Sequence, residues 1–454
     1  MFIILISGAM IIWHVQNNVK KRGLVKMKQV TDMTQGKPAK LILSFALPLI
    51  LTNVGQQLYM IVDSSVVGRG VGLKALAAVG SAGWTYWLIL WTVMGMTQDF
   101  AVFISRYFGK QDYHNVNKTI ATSTILCAVI GVILTVSGLL AAKPLLGLLK
   151  TPDDIIGDSA IYLMTMIAGT LIVTAYNMAA SVLRSFGDGK SPLLAMVIAA
   201  FLNVGLDLVF VLVFHWGVFG AAIASVTAQL FSFLFCLVRI GKIEYVRFEK
   251  NDWKFDGRMA KEMLAFALPI ALQMIVIAVS GMVFQSAINL QGSIFVAGYT
   301  AMNKMYGLLE STAISLGMAA STFFAQNYGA GEKSRVRAGV RTAAVISVIM
   351  AACVTIIMLL VGKYLLQMFI NAAEDGAAES LQIGFHYLII MSACLVVLYL
   401  IHVYRNAMQA LGNSVWSMIS GFAECGTRIL MAKGIVLLLG VETLYYVEPA
   451  AWPR

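Results

Sequence analysis

FALPLIL, from Phe45 to Leu51, returns as FALPIAL from Phe266 to Leu272, 221 residues further along the chain. One echo of apolar letters carries little, but three more follow in the same order. YFGKQDYHNV from Tyr107 pairs with NYGAGEKSRV from Asn327, SFGDGKSP from Ser185 with ALGNSVWS from Ala410, and FLNVGLDLVF from Phe201 with FAECGTRILM from Phe422, always at a spacing of 220 to 225 residues. Matches at so constant an offset mark a duplication. The chain reads as two homologous halves joined by residues 241–262.

Each half is too apolar for water. Hydrophobic residues make up 59% of the chain and charged residues 12%, where a soluble domain carries about 25% charged residues. A helix needs about 20 apolar residues to cross the hydrocarbon, and such stretches lie near 41–66, 77–105, 119–142, 158–183, 192–214 and 217–240, then near 263–288, 294–324, 338–369, 382–404 and 415–440. The expectation is an all-α polytopic membrane protein of about eleven spans, with residues 41–240 as a six-helix N-lobe and 263–454 as a five-helix C-lobe. The apolar runs are continuous rather than alternating, which excludes a β-barrel. An even number of crossings in the first half makes the halves parallel repeats, an organisation of transporters.

The net charge of +11 does not imply nucleic acid, because the basic residues collect in alternate loops. Residues 1–40 hold Lys20, Lys21, Arg22, Lys26, Lys28, Lys37 and Lys40 against the single acid Asp32, and the 241–262 linker is also dense in base. Under the positive-inside rule both face the cytoplasm. Residues 1–13 are apolar but too short to span, and two readings stand: an interfacial segment, or a native start at Met27 that leaves residues 1–26 outside the protein. The five cysteines lie inside apolar spans without paired spacing and read as small packing residues. The five histidines show no metal-binding spacing. No nucleophile or metal motif points to an enzyme, and no cofactor is expected.

Against this background a carboxylate inside a span stands out. Placing one there costs about 2.5–3.5 kcal/mol on insertion scales, so it marks a functional site unless it reaches the interface. Asp63, in QQLYMIVDSSVVGR, is one; Asp207 is a second, four residues after Asn203 and on the same helical face. Two acids and an amide in one half form a candidate cation-binding cluster. Two neighbouring buried carboxylates resist double ionisation, so one of the pair is expected to hold a proton near neutral pH, and oxygen ligands of this kind also suit Na+.

The lead segment DMTQGKPAKLILSFALPLILTNVGQQLYMIVDSSVVGR, the repeated FALP, LRSFGDGKSP and NVGLDLVFVLVFHWGVFGAAIAS together resemble the multidrug and toxic compound extrusion (MATE) family, of the DinF-like type, from about Thr31 to Trp452. The resemblance implies two six-helix lobes in a bacterial cytoplasmic membrane. It further implies a secondary antiporter that exports cationic or amphipathic drugs in exchange for H+ or Na+ by rocking of the lobes. Within it Asp63 and Asp207 match the coupling-ion acids, and Tyr162, Asn177, Asn203 and Ser225 match the surrounding hydroxyl and amide positions. Pro48 matches a proline proposed to bend the first helix on protonation; a static kink is the competing reading. Glu310 and Gln57 are the candidates for contact with a cationic substrate, and some of the 25 methionines suit an adaptable drug cavity. Glu424 and Arg428, four apart, are expected to neutralise each other in a structural role. Membrane lipid and small molecules are the expected partners of a monomer. Two other readings stand beside this one: a lipid-linked oligosaccharide flippase, which should carry more cavity arginines, and a truncated, inactive transporter, since the family's twelfth helix is expected after EPAAW, where the chain stops at Arg454.

Overall fold

The structure is a computed structural model that describes residues 30–148, 151–249, 251–367 and 376–452; the side chains of 58–65, 68, 69, 73, 84, 293 and 437 lie outside that description. Among the described residues there is no strand. Fifteen α-helices follow one another: α1 Pro38–Gly70, α2 Leu73–Gly109, α3 Tyr113–Leu148, α4 Ile156–Ala168, α5 Thr170–Ser185, α6 Lys190–Asp207, α7 Gly217–Ile240, α8 Gly257–Asn289, α9 Ser293–Gly329, α10 Lys333–Gln367, α11 Ala377–Ala393, α12 Leu395–Ala410, α13 Ser414–Ile429, α14 Val436–Leu439 and α15 Val447–Ala451. Among the described residues eight helical spans are long and apolar enough to cross a membrane, and ten when the bent pairs α4–α5 and α11–α12 count as one span each. The run from α13 to α14 supplies a further helical rod; it carries Glu424, Arg428 and Lys433.

The duplication read from the letters recurs in the backbone. Left-handed φ angles occur at Gly72 and Gly292, at Gln111 and Gly331, at Gly187 and Gly412, and at Gly217 and Gly440, four turns at the repeat spacing. The bends repeat too, 45° between α4 and α5 and 50° between α11 and α12. A six-residue π segment follows α6, Leu208–Val213, and another follows α13, Leu430–Ile435. At Gly187 the reason for glycine is steric as well as conformational: an added Cβ would lie 2.8 Å from the Thr31 carbonyl oxygen. There the segment before α1 crosses the turn, with the Thr31 N–H donating to the Phe186 carbonyl at 3.0 Å.

The chain divides into two compact units. The first contains residues 51–264 with the segments before Gly36 and around Ala330. Its core is built by Val67, Tyr86, Leu163, Ile167, Val218, Ala221 and Ala222, all buried. Helix α7 packs against α4, α5 and α6, and small residues on its inner face, Gly220, Ala221, Ala222 and Ala224, allow that approach. The linker after α7 is folded onto the same unit: Tyr245 stacks on Tyr113 at 4.6 Å between ring centroids, and Asn117 accepts from the Arg247 N–H at 3.1 Å. Lys118 pairs with Asp256 at 2.6 Å. The second unit contains residues 36–50, 265–328 and 332–454, so the first turns of α1 belong with the C-terminal half of the sequence. Gly36 is tied there by its carbonyl, which accepts from Arg335 Nη2 at 3.0 Å. Phe284, Phe323, Phe324, Tyr387 and Tyr399 are the largest side chains closed off inside that unit.

Candidate functional site

In the first unit α6 enters the site with an apolar face and ends on polar groups. Asn203 and Asp207, one turn apart, are both fully buried. The Asn203 amide nitrogen lies 3.2 Å from Ser225 Oγ on α7, so two of the sequence candidates are in direct contact. Ser225 is buried, as is Tyr162 on α4. Asn177 on α5 is half-buried and spends its amide nitrogen on the Val173 carbonyl of its own helix, at 2.9 Å. Asp63 lies on the helical backbone of α1, but its side chain is outside the described residues. Pro48 is buried, and α1 continues through it without a break in the helical assignment. Gln57 is half-buried on the same helix.

Asp207 is also the last residue of regular α geometry before the π segment Leu208–Val213. A π turn holds one extra residue, rotates everything beyond it and loosens the backbone ladder, and such turns gather at functional sites. The acid therefore sits at a break in a buried helix, next to an amide and a hydroxyl. That donor set can hold a proton or a hard monovalent cation. Among the described residues no group of three or more His, Cys, Asp or Glu side chains is arranged to hold a metal ion.

The second unit carries a different kind of polar core. Arg428 Nη2 meets Glu424 Oε1 at 3.0 Å and Glu448 Oε2 at 2.6 Å, while its Nη1 donates to Ser280 Oγ at 2.7 Å. Glu424 Oε2 in turn accepts from Arg405 Nη2 at 2.6 Å, and Arg405 Nε donates to Ser420 Oγ at 2.7 Å. The expected pairing of Glu424 with Arg428 is present, but as the middle of a four-membered chain of alternating charge. Arg405 and Glu448 escape the sequence reading. Arg405 was visible as the lone charge in LIHVYRNAMQ, whereas Glu448 lies twenty residues from Arg428 and only folding brings the two together. Glu310 on α9, the candidate for substrate contact, has Tyr306 as a hydrogen-bond partner one turn earlier and feels the charges of Glu448, Glu424 and Arg428. It belongs to the second unit, whereas Asp207, Asn203, Ser225, Tyr162 and Asn177 belong to the first.

Comparison with known proteins agrees with this division. The MatE family profile matches the chain twice, at residues 48–209 and 269–432. The probable multidrug resistance protein YpnP of Bacillus subtilis is 28% identical over 349 residues, covering 76% of this chain and 78% of its own. A crystal structure of MATE in complex with MaL6 superposes with a TM-score of 0.83 at 22% identity over 94% of this chain and 95% of that one. A transporter of the MOP superfamily from Pyrococcus furiosus superposes with a TM-score of 0.86 at 23% identity over 94% of both chains. These two likenesses establish the fold, and the double profile match, one to each half, establishes the lineage: the chain belongs to the MatE family of multi-pass membrane transporters.

Proposed function

We propose that this protein is a secondary antiporter of the bacterial cytoplasmic membrane, exporting cationic or amphipathic drugs in exchange for H+ or Na+. The observation that carries the proposal is the pair Asn203 and Asp207, fully buried one turn apart in an apolar span, with Ser225 Oγ against the amide. A carboxylate at that depth is costly unless it is neutralised, and a proton or a sodium ion entering from one side supplies the neutralisation. Asp63, on α1, is the proposed second acid, as in the family pattern, with Tyr162 and Asn177 contributing oxygen. Binding of the ion shifts the protein toward one of two states only as far as its affinity differs between them, and alternating access follows if drug and ion favour opposite states. Pro48 is the proposed hinge of α1, and Glu310 and Gln57 the proposed substrate contacts. The names of the curated relatives favour drug export over flipping of a lipid-linked sugar.

The test is a proteoliposome assay. Drug flux should follow an imposed pH or sodium gradient in the parent, and Asp207→Asn, which keeps shape but removes the titrating group, should lower the gradient-driven flux at least tenfold at equal reconstitution. Flux that ignores both gradients, or an Asp207→Asn variant as active as the parent, removes the coupling site.

A further inference from the structure

A third carboxylate of the first unit has no place in the coupling site. Asp99 lies on α2, inside the span Thr85–Gly109, and is 5% exposed. Its situation differs from that of other carboxylates in the fold. Asp188 accepts from the Ser191 N–H and hydroxyl, Asp256 from Lys118 and two backbone N–H groups, and Glu424 and Glu448 from arginines. Among the described residues Asp99 has no hydrogen bond and no ion pair. Beside it, Gln98 Oε1 is also buried without a donor. Among the described residues these two neighbouring acceptors stand without a donor.

The repeat provides an internal control. The residue equivalent to Asp99 in the second half is Ala319, fully buried, and that equivalent to Gln98 is Met318. The helix packs without polar groups at these two positions, so the first half carries them for something other than folding. One turn before Asp99, a Cβ added at Gly95 would meet no atom within 4 Å, which leaves space beside the acid. Further along the same helix Leu88 is 57% and Trp91 48% exposed, followed by Met94. Exposed apolar side chains therefore share the helix with an acid and an amide oxygen that can accept from N–H groups.

We propose that Asp99 and Gln98 form the polar end of a recognition site for an amphipathic organic cation bearing N–H donors, its apolar body lying along the Leu88–Gly95 stretch of α2. The site rests on the reading of the protein as a drug exporter and is separate from the coupling site at Asp207. A charge-assisted hydrogen bond to a largely buried carboxylate is strong enough to govern affinity, whereas a neutral ligand lacks that charge assistance.

Equilibrium binding of ethidium, a planar cation with amino groups, to the purified full chain tests this by fluorescence anisotropy. Asp99→Asn should weaken ethidium binding about tenfold or more, Asp99→Glu should restore most of it, and Gly95→Leu, which fills the space without touching packed atoms, should weaken it several-fold. Binding of the uncharged amphipath N-phenylnaphthylamine should be unchanged by Asp99→Asn. An Asp99→Asn affinity within about twofold of the parent, an equal loss for the uncharged probe, or a parent that binds no ethidium overturns the site. Should Asp99→Asn fail to fold, Gly95→Leu and Asp99→Glu decide the matter in the same way. A parent that binds ethidium through Asp99 but whose drug flux ignores both ion gradients leaves this site standing and removes the coupling proposal alone.

Discussion

The charges inside the second unit are held in place by one another, and their removal should be expensive in proportion. Arg428 touches Glu424, Glu448 and Ser280 at once. Breaking a buried pair from one side costs about 3–5 kcal/mol because the survivor stays desolvated. Arg428→Met is therefore expected to lower the thermal midpoint of the purified protein sharply. Glu448→Gln, which keeps one acceptor oxygen for the guanidinium, should cost less than Arg428→Met in the same melting experiment. At Gln111 the opposite change should help. Its φ of 62° is left-handed, a conformation that costs a residue with a Cβ about 1–2 kcal/mol, and the second half places Gly331 there. Gln111→Gly should raise the unfolding free energy by about 0.5–1 kcal/mol, measured by denaturant titration. At this scale the sequence was legible wherever polar residues came in helical register. Asn203 with Asp207 and Glu424 with Arg428 announce themselves four residues apart. Asp99 does not, because positions 95, 96, 102 and 103 around it are Gly, Met, Val and Phe, and a search for polar residues in helical register passes over it.

Among the helices, the turns are where the sequence fixes conformation most firmly. Asp256 begins α8: its Oδ1 accepts from the N–H groups of Arg258 and Met259, each at 3.0 Å, while its Oδ2 meets Lys118 at 2.6 Å. The Lys118 hydrogen bond, and after it the Met259 N–H, hold the carboxyl below the usual carboxylate range. A folded-state value lowered in this way gives stability that is complete above the unfolded value of about 4 and lost as pH falls through the lowered one. Asp256→Ala should cost about 1 kcal/mol near neutral pH, the usual worth of an N-cap, and the gap between variant and parent should close on acidification. A melting series from neutral to acid pH checks both parts. The helices themselves were legible as apolar runs, and their pairing as repeated motifs. The bends at Gly169 and Cys394 and the π segments were not. No proline marks either bend, and whether a buried run such as LVFVLV winds as α or π depends on what it packs against rather than on its letters.

For the molecule as a whole, the duplication explains why so much was legible from one chain: each half checks the other. It exposes Asp99 through Ala319 and Gln111 through Gly331. The distribution of lysine and arginine also gives an orientation, with the linker proposed to face the cytoplasm. A cysteine placed at Lys254 should resist labelling by an impermeant maleimide added outside intact cells, and strong labelling would invert that orientation. The assignment of Gly36–Ile50 to the second unit has a consequence in time rather than space. That segment leaves the ribosome early, yet the residues it is grouped with begin at Ala265. At about 5–20 residues per second, the 214 positions between Ile50 and Ala265 take roughly 10–40 s to synthesise. Throughout that interval the leading turns of α1 wait for partners that have not yet been made, so the first unit can close before that segment has found its final neighbours.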